Sequence, residues 1–109
     1  MSENTNIIEI TSKEQFDEAI KNEKLTIIDF WAEWCWPCRL LKPILHKIAG
    51  LDSEIQLLTV DVDQNSDLAW EYDIQSIPTV FFFKDWEKVY NFTGVMPENE
   101  ILEKIEASK

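Results

Sequence analysis

Glycine and proline are scarce, at two and four residues in a chain of 109. No stretch is repetitive or low in complexity, so no linker, disordered tail or repeat array is expected, and residues 1–109 read as one domain. Long hydrophobic runs are also missing, since none approaches the ~18–20 apolar residues of a membrane-spanning helix. The start, MSENTNIIEI, has neither the basic opening nor the apolar core of a secretory leader. Positive charge is in deficit: 21 acidic against 10 basic residues give a formal net charge of −11. A chain this acidic gains nothing from counterion release on a phosphate backbone and is repelled by anionic lipid. Nucleic acid and membrane surfaces are thereby set aside as partners, and a cytoplasmic protein is expected. Cysteine is rare too, with two residues, Cys35 and Cys38. Small secreted domains often carry several disulfides, whereas a single close pair in a reducing compartment is more often catalytic or metal-binding than structural.

What is present is an ordered series of apolar patterns within a chain that is 45% hydrophobic. NIIEI, residues 6–10, reads as a short strand. Thr11 opens T-S-K-E, a capping box with Glu14, and Phe16, Ala19 and Ile20 recur at helical spacing to about Asn22. LTIIDFWA, residues 25–32, is a nearly continuous apolar run, which predicts a central strand covered on both faces. From Cys35 to Ala49, Leu40, Leu41, Ile44, Leu45 and Ile48 mark a helix, with Gly50 as its stop. IQLLTVDV, residues 55–62, predicts a second buried strand, and Asn65 to Tyr72 a short helix. Thr79 to Lys84 and residues 88–94 follow so closely that they should pair as a hairpin. The final PENEILEKIEASK places proline in the first turn of a helix, with Ile101, Leu102 and Ile105 on one face. Glu98, Glu100, Glu103 and Glu106 form its solvated side. The order βαβαβαββα implies an α/β domain with a mixed sheet and helices on both faces.

The chemistry concentrates in WAEWCWPCR, residues 31–39. Residues i and i+3 of a helix stand about 5–6 Å apart at Cβ, near the range a disulfide can close with little backbone movement. Cys35 lies where a buried strand turns into a helix, so unpaired N–H groups and the helix dipole favour a negative sulfur. Cys35 is therefore the expected nucleophile. Cys38, one turn inside, is expected to be more shielded and to act second, attacking the mixed disulfide to release product. Pro37 occupies the first turn, where its missing N–H costs nothing. Lowering a thiol pKa from about 8.5 to about 7 gains only about threefold in attack rate, because nucleophilicity falls with basicity. A positioned second thiol must then supply most of the advantage. Two other readings compete with a reactive dithiol. A zinc site would need about four ligands, and the only further soft donor is His46, roughly 12 Å along the same helix, so one chain cannot close it. An inert buried pair would sit within an element rather than at a corner beside Trp34, Trp36 and Pro37.

DFWAEWCWPC, followed about forty residues later by SIPT and then by a lone Gly94, resembles the thioredoxin family over essentially the whole chain. Pro43, within the cysteine helix, matches that family as well, where its ring would kink the helix against the sheet. The resemblance implies a thioredoxin fold that reduces protein disulfides. It implies client proteins bearing disulfides and a thioredoxin reductase as electron donor, in a monomer that uses no metal and no bound cofactor. It further implies a cis Ile77–Pro78 bond facing the cysteines, with the backbone of Ile77 holding a client segment as an added strand. Asp29 is the one charged residue of LTIIDFWA, and burial should raise its pKa. By resemblance, Asp29 accepts a proton from Cys38 as the mixed disulfide resolves. Trp34 and Trp36 around Cys35, with Pro37, Ile77, Pro78, Gly94 and Val95, are expected to form an apolar docking patch. Trp31 should pack beneath the helix of the cysteines.

Three features depart from the family pattern. Trp36 stands where the family usually has glycine, within the pair of residues that tunes redox poise. Thr59 stands where the family often has a lysine beside the buried acid, so Asp29 should be harder to ionise. The hairpin turn reads KDWEK, without glycine, which predicts a longer or differently shaped turn at Trp86. A rival reading is an oxidant or isomerase on the same fold, favoured if Trp36 stabilises the Cys35 thiolate strongly. Another is a protein-binding subunit whose dithiol is incidental.

Overall fold

The computed structural model describes residues 6–109. Residues 1–5, with which the MSENTNIIEI segment and its lack of a leader pattern begin, lie outside the described part. The elements run β1 (Ile7–Glu9), α1 (Lys13–Ala19), β2 (Leu25–Trp31), α2 (Trp36–Leu51), β3 (Ile55–Asp61), α3 (Ser66–Glu71), β4 (Thr79–Lys84), β5 (Glu87–Thr93) and α4 (Glu98–Ser108). This is the order expected from the apolar patterns. The five strands form one mixed sheet in the order β1-β3-β2-β4-β5. β3 pairs in parallel with both β1 and β2, while β4 runs antiparallel to β2 and to β5.

The alternation of side chains along β2 sorts the two faces of the sheet. Leu25 and Ile27 point to the side covered by α2 and α4, where they meet Leu41, Leu45 and Ile48 of α2 and Ile101 and Ile105 of α4. Ile28 and Phe30 point to the opposite side, with Phe16 of α1 and Leu68 of α3. The second face is rich in aromatic contacts. Tyr72 lies 5.5 Å from Phe16 and 6.0 Å from Phe81 between ring centroids, and Phe30 meets Phe81 edge-on at 5.2 Å. Truncating a ring buried in such a cluster typically costs about 3–5 kcal/mol. The near-continuous apolar runs of β2 and β3 thus follow from cover on both faces.

Four boundaries differ from the expected ones, each for a local reason. The cap of α1 is Ser12 rather than Thr11: the Ser12 side chain accepts the Gln15 N–H at 3.1 Å, and Gln15 Oε1 accepts the Thr11 N–H at 2.6 Å. The box is therefore built by Ser12 and Gln15, not by Thr11 and Glu14. Gly50 does not stop α2, which continues to Leu51 and ends at Asp52 in extended backbone. Asn6 fixes that end, since its amide donates to the carbonyls of Ala49, Asp52 and Ile55 at 2.7, 3.2 and 3.1 Å. Pro97 is the residue before α4 rather than part of its first turn, and Leu102 faces solvent while Ile101 and Ile105 are buried. The β4–β5 turn is no longer than usual: Lys84 pairs with Glu87, leaving Asp85 and Trp86 at φ 53° and 71°. Positive φ at both central residues is the two-residue turn that matches strand twist, here made without glycine. A register irregularity between Phe82 and Phe83 accompanies it.

Candidate active site

The chain leaves β2 at Trp31 and enters α2 at Trp36, and Cys35 is the residue that caps the helix. Its backbone is extended, at φ −91° and ψ 106°, with Pro37 in the first turn. Its N–H donates to the Ala32 carbonyl at 3.1 Å, and its own carbonyl accepts from Arg39 at 3.2 Å. The Cys38 N–H donates to Cys35 Sγ at 3.3 Å. Sulfur thus takes the place of the usual capping oxygen, receiving a helix N–H where the dipole is positive. That environment stabilises a thiolate whenever the pair is reduced. Cys35 and Cys38 are joined as a disulfide, with Cα atoms 5.3 Å apart. Cys35 is 4% exposed and Cys38 1%, so the second sulfur is the more enclosed.

The loop before β4 faces this corner. The Ile77–Pro78 bond is cis, and Cys35 Sγ lies 3.7 Å from the Ile77 carbonyl oxygen. Gly94 joins the same loop, donating its N–H to the Pro78 carbonyl at 2.9 Å. A Cβ on Gly94 would meet nothing within 4 Å, so its φ of 80°, and not lack of space, is what calls for glycine.

An open groove passes between Trp34 and Ile77 and continues over Val62, Ala69 and Ile74. Trp34 is 70% exposed and is oriented by its indole N–H, which donates to Asp63 Oδ2 at 2.9 Å. Trp36, 64% exposed, does not line this groove and stands with the Arg39 guanidinium 5.6 Å from its ring centroid. Pro37, Pro78, Gly94 and the exposed Val95 do not line it either, so of the expected patch only Trp34 and Ile77 do. Val62, Ala69, Ile74 and Asp63 escaped the sequence reading. Ala69 lies on α3, while Val62 and Asp63 follow β3 and Ile74 follows α3, and only the tertiary fold carries them to Trp34.

Asp29 occupies the middle of the sheet on the α2 side. It is 1% exposed, and neither carboxylate oxygen meets a hydrogen-bond donor among the described residues. In register with it stand Thr59 on β3 and Val80 on β4, neither of which carries charge. Burial pushes its pKa up from the ordinary 3.8 to about 7, against a smaller downward pull from the Lys42 ammonium. The carboxyl of Asp29 thus ionises well above the ordinary carboxylate range. Lys42 was not singled out in the sequence, although its place four residues after Cys38 puts it on the same side of α2. Trp31 packs against Ala32, Cys35 and Cys38, and the Lys42 ammonium sits 3.8 Å from its ring centroid. Among the described residues, no group of three or more His, Cys, Asp or Glu side chains is placed to hold a metal ion. His46 is half-buried on α2, and burial, aided by Lys42, lowers its pKa.

Comparison with known proteins agrees with this geometry. Residues 7–107 match the family model described as Thioredoxin. The chain is 39% identical over 94 residues to the thioredoxin of Mycoplasmoides gallisepticum, covering 86% of this chain and 94% of that protein. It is 41% identical over 92 residues to the thioredoxin of Equus caballus, covering 83% and 88%. Among solved structures, the thioredoxin of Malassezia sympodialis superposes with a TM-score of 0.84 at 32% identity, over 93% of this chain and 89% of that one. A mutant thioredoxin from Halobacterium salinarum gives 0.88 at 26% identity, over 98% and 94%. With a Cys-x-x-Cys disulfide at the head of α2, a cis-proline loop facing it and a mixed five-stranded sheet, the chain belongs to the thioredoxin family of thiol-disulfide oxidoreductases.

Proposed function

We propose that this protein, as one domain over its 109 residues, reduces disulfides in client proteins and is itself reduced by a thioredoxin reductase. The observation that carries this reading is the position of Cys35 Sγ, which receives a helix N–H at 3.3 Å and lies 3.7 Å from the Ile77 carbonyl beside an open groove. A client segment lying in extended form along Ile77 and Trp34 would bring its disulfide to the one sulfur that the helix terminus activates.

The reaction proceeds in two exchanges. The Cys35 thiolate attacks one client sulfur, the client S–S bond breaks, and the other client sulfur leaves as a thiolate. Cys38 then loses its proton, which Asp29 takes, and attacks Cys35 Sγ. The mixed disulfide breaks, the second client sulfur departs, and Cys35 and Cys38 are left as a disulfide. Two electrons have passed to the client, whose thiolates take up protons, and two electrons from the reductase restore the dithiol. Trp34 and Ile77 line the client site, Pro37 stiffens the corner that presents Cys35, and the cis Pro78 turns the loop of Ile77, which Gly94 holds. Trp36 and Val95 extend the apolar surface beside it. A cytoplasmic setting, where thiols are kept reduced, fits this reading.

The test is reduction of the insulin interchain disulfides by the protein with NADPH and a thioredoxin reductase, followed as NADPH consumption. Catalysed consumption that vanishes in Cys35→Ser is expected. A Cys35→Ser variant that retained full turnover would refute the reading and favour a binding subunit with an incidental dithiol.

A further inference from the structure

Lys42 projects from α2 one turn after Cys38, and its ammonium rests 3.8 Å from the Trp31 ring centroid. Trp31 is two residues beyond Asp29 on β2, so both side chains stand on the face that α2 covers. A lysine in open solvent spreads its charge over many rotamers, whereas one held on an aromatic face keeps it in one place. Here that place is the end of the strand carrying Asp29, whose carboxylate oxygens have no donor among the described residues.

The other groups facing Asp29 leave Lys42 without competition. β3 presents Thr59 and β4 presents Val80, and neither titrates. α4 brings Ile101 and Ile105 to this side of the sheet. α2 brings Cys38, held in the disulfide, and His46, which is one turn beyond Lys42. Asp61 pairs with Trp31 at the strand ends, and Glu33 and Arg39 stand at the rim of the open cavity that Lys42 shares with Trp31.

We propose that Lys42 is a positioning residue for the proton step: its ammonium, fixed on Trp31, supplies the positive field at Asp29 and so helps to set the pH at which Asp29 exchanges its proton. His46, four residues after Lys42 on α2, stands within reach of the same charge. The inference rests on the reading that Asp29 takes the Cys38 proton, but its first test does not depend on that reading.

The experiment is an NMR titration of the full oxidised protein carrying 13C-labelled aspartate, for the parent, Lys42→Met and Lys42→Arg. In the oxidised form the cysteines do not titrate, so the Asp29 resonance reports its own ionisation. Lys42→Met should raise the Asp29 midpoint by about half a pH unit or more, a threefold or larger change in its ionisation constant. It should raise the His46 midpoint as well, and Lys42→Arg should stay near the parent. Loss of packing alone would have a different signature: water entering the site would lower Asp29 and raise His46. An Asp29 midpoint that is unchanged or lower in a folded Lys42→Met overturns the inference, and Lys42→Gln is judged by the same criterion if the Met variant does not fold. The pH profile of single-turnover reduction of a disulfide peptide separates the two claims. A midpoint that moves while the profile stays fixed leaves Lys42 acting on the Asp29 ionisation but overturns its place in the proton step, together with that of Asp29.

Discussion

The burial of Asp29 makes a quantitative demand on stability. A carboxyl raised from 3.8 to about 7 is preferred in its neutral form by the fold. Its contribution to stability is therefore fully present below the unfolded value and is lost as pH rises through the folded one. At 1.36 kcal/mol per pH unit, the gap amounts to about 4 kcal/mol, lost at about 1.4 kcal/mol per unit between pH 4 and 7 and constant above. Asp29→Asn removes the titration while keeping the shape. Urea unfolding of oxidised parent and variant should then give a stability difference that grows in favour of the variant by about 4 kcal/mol from pH 4 to pH 8. The constant cost of burying an unpaired amide cancels, because only the change with pH is read. All other titrating groups are common to both proteins. A difference that stays flat across this range would mean that Asp29 ionises at an ordinary pH and would refute the assignment.

Other outcomes follow from the same geometry. Cys38→Ser leaves the first exchange intact and removes the second. Mixed disulfides at Cys35 should accumulate on nonreducing gels, and turnover should fall by about a hundredfold or more; undiminished turnover would remove Cys38 as the resolving thiol. Trp36→Gly should lower kcat/KM for an apolar client about fivefold, the equivalent of about 1 kcal/mol of contact, and unchanged kinetics with an unchanged midpoint potential would leave Trp36 without a selective role. Trp86→Gly should raise the urea midpoint, by about 1 kcal/mol of stability, because a φ of 71° strains a bulky residue. A lowered midpoint would instead assign Trp86 a packing role.

Most of the fold was legible because its signals are local. The runs 25–32 and 55–62 became the strands β2 and β3, and of the positions that marked α2, Leu41, Leu45 and Ile48 are buried, Ile44 is partly buried and Leu40 is exposed. The cysteine corner was legible because a strand, two cysteines and a helix lie within about fifteen residues. What was not legible depends on distant partners. Gly50 looked like a helix stop, but the end of α2 is fixed by Asn6, 43 residues away from Ala49 in sequence. The KDWEK turn offered no glycine, yet pairing of β4 with β5 imposes a two-residue turn on Asp85 and Trp86. The groove could be foreseen at Trp34 and Ile77, while Val62, Ala69 and Ile74 join it only through tertiary folding. Thr59 was correctly placed opposite Asp29, but the cation that acts on Asp29 comes from α2, and no pattern along the chain relates Lys42 to a strand residue.

If the Cys35–Cys38 pair works as a reductant, its midpoint potential, read by alkylation and mass analysis across a series of thiol buffers, must lie low. The thioredoxin range, a known reference value of about −270 mV, is the result this account predicts. A two-electron transition between about −180 and −120 mV would contradict it, moving the function to disulfide formation or isomerisation.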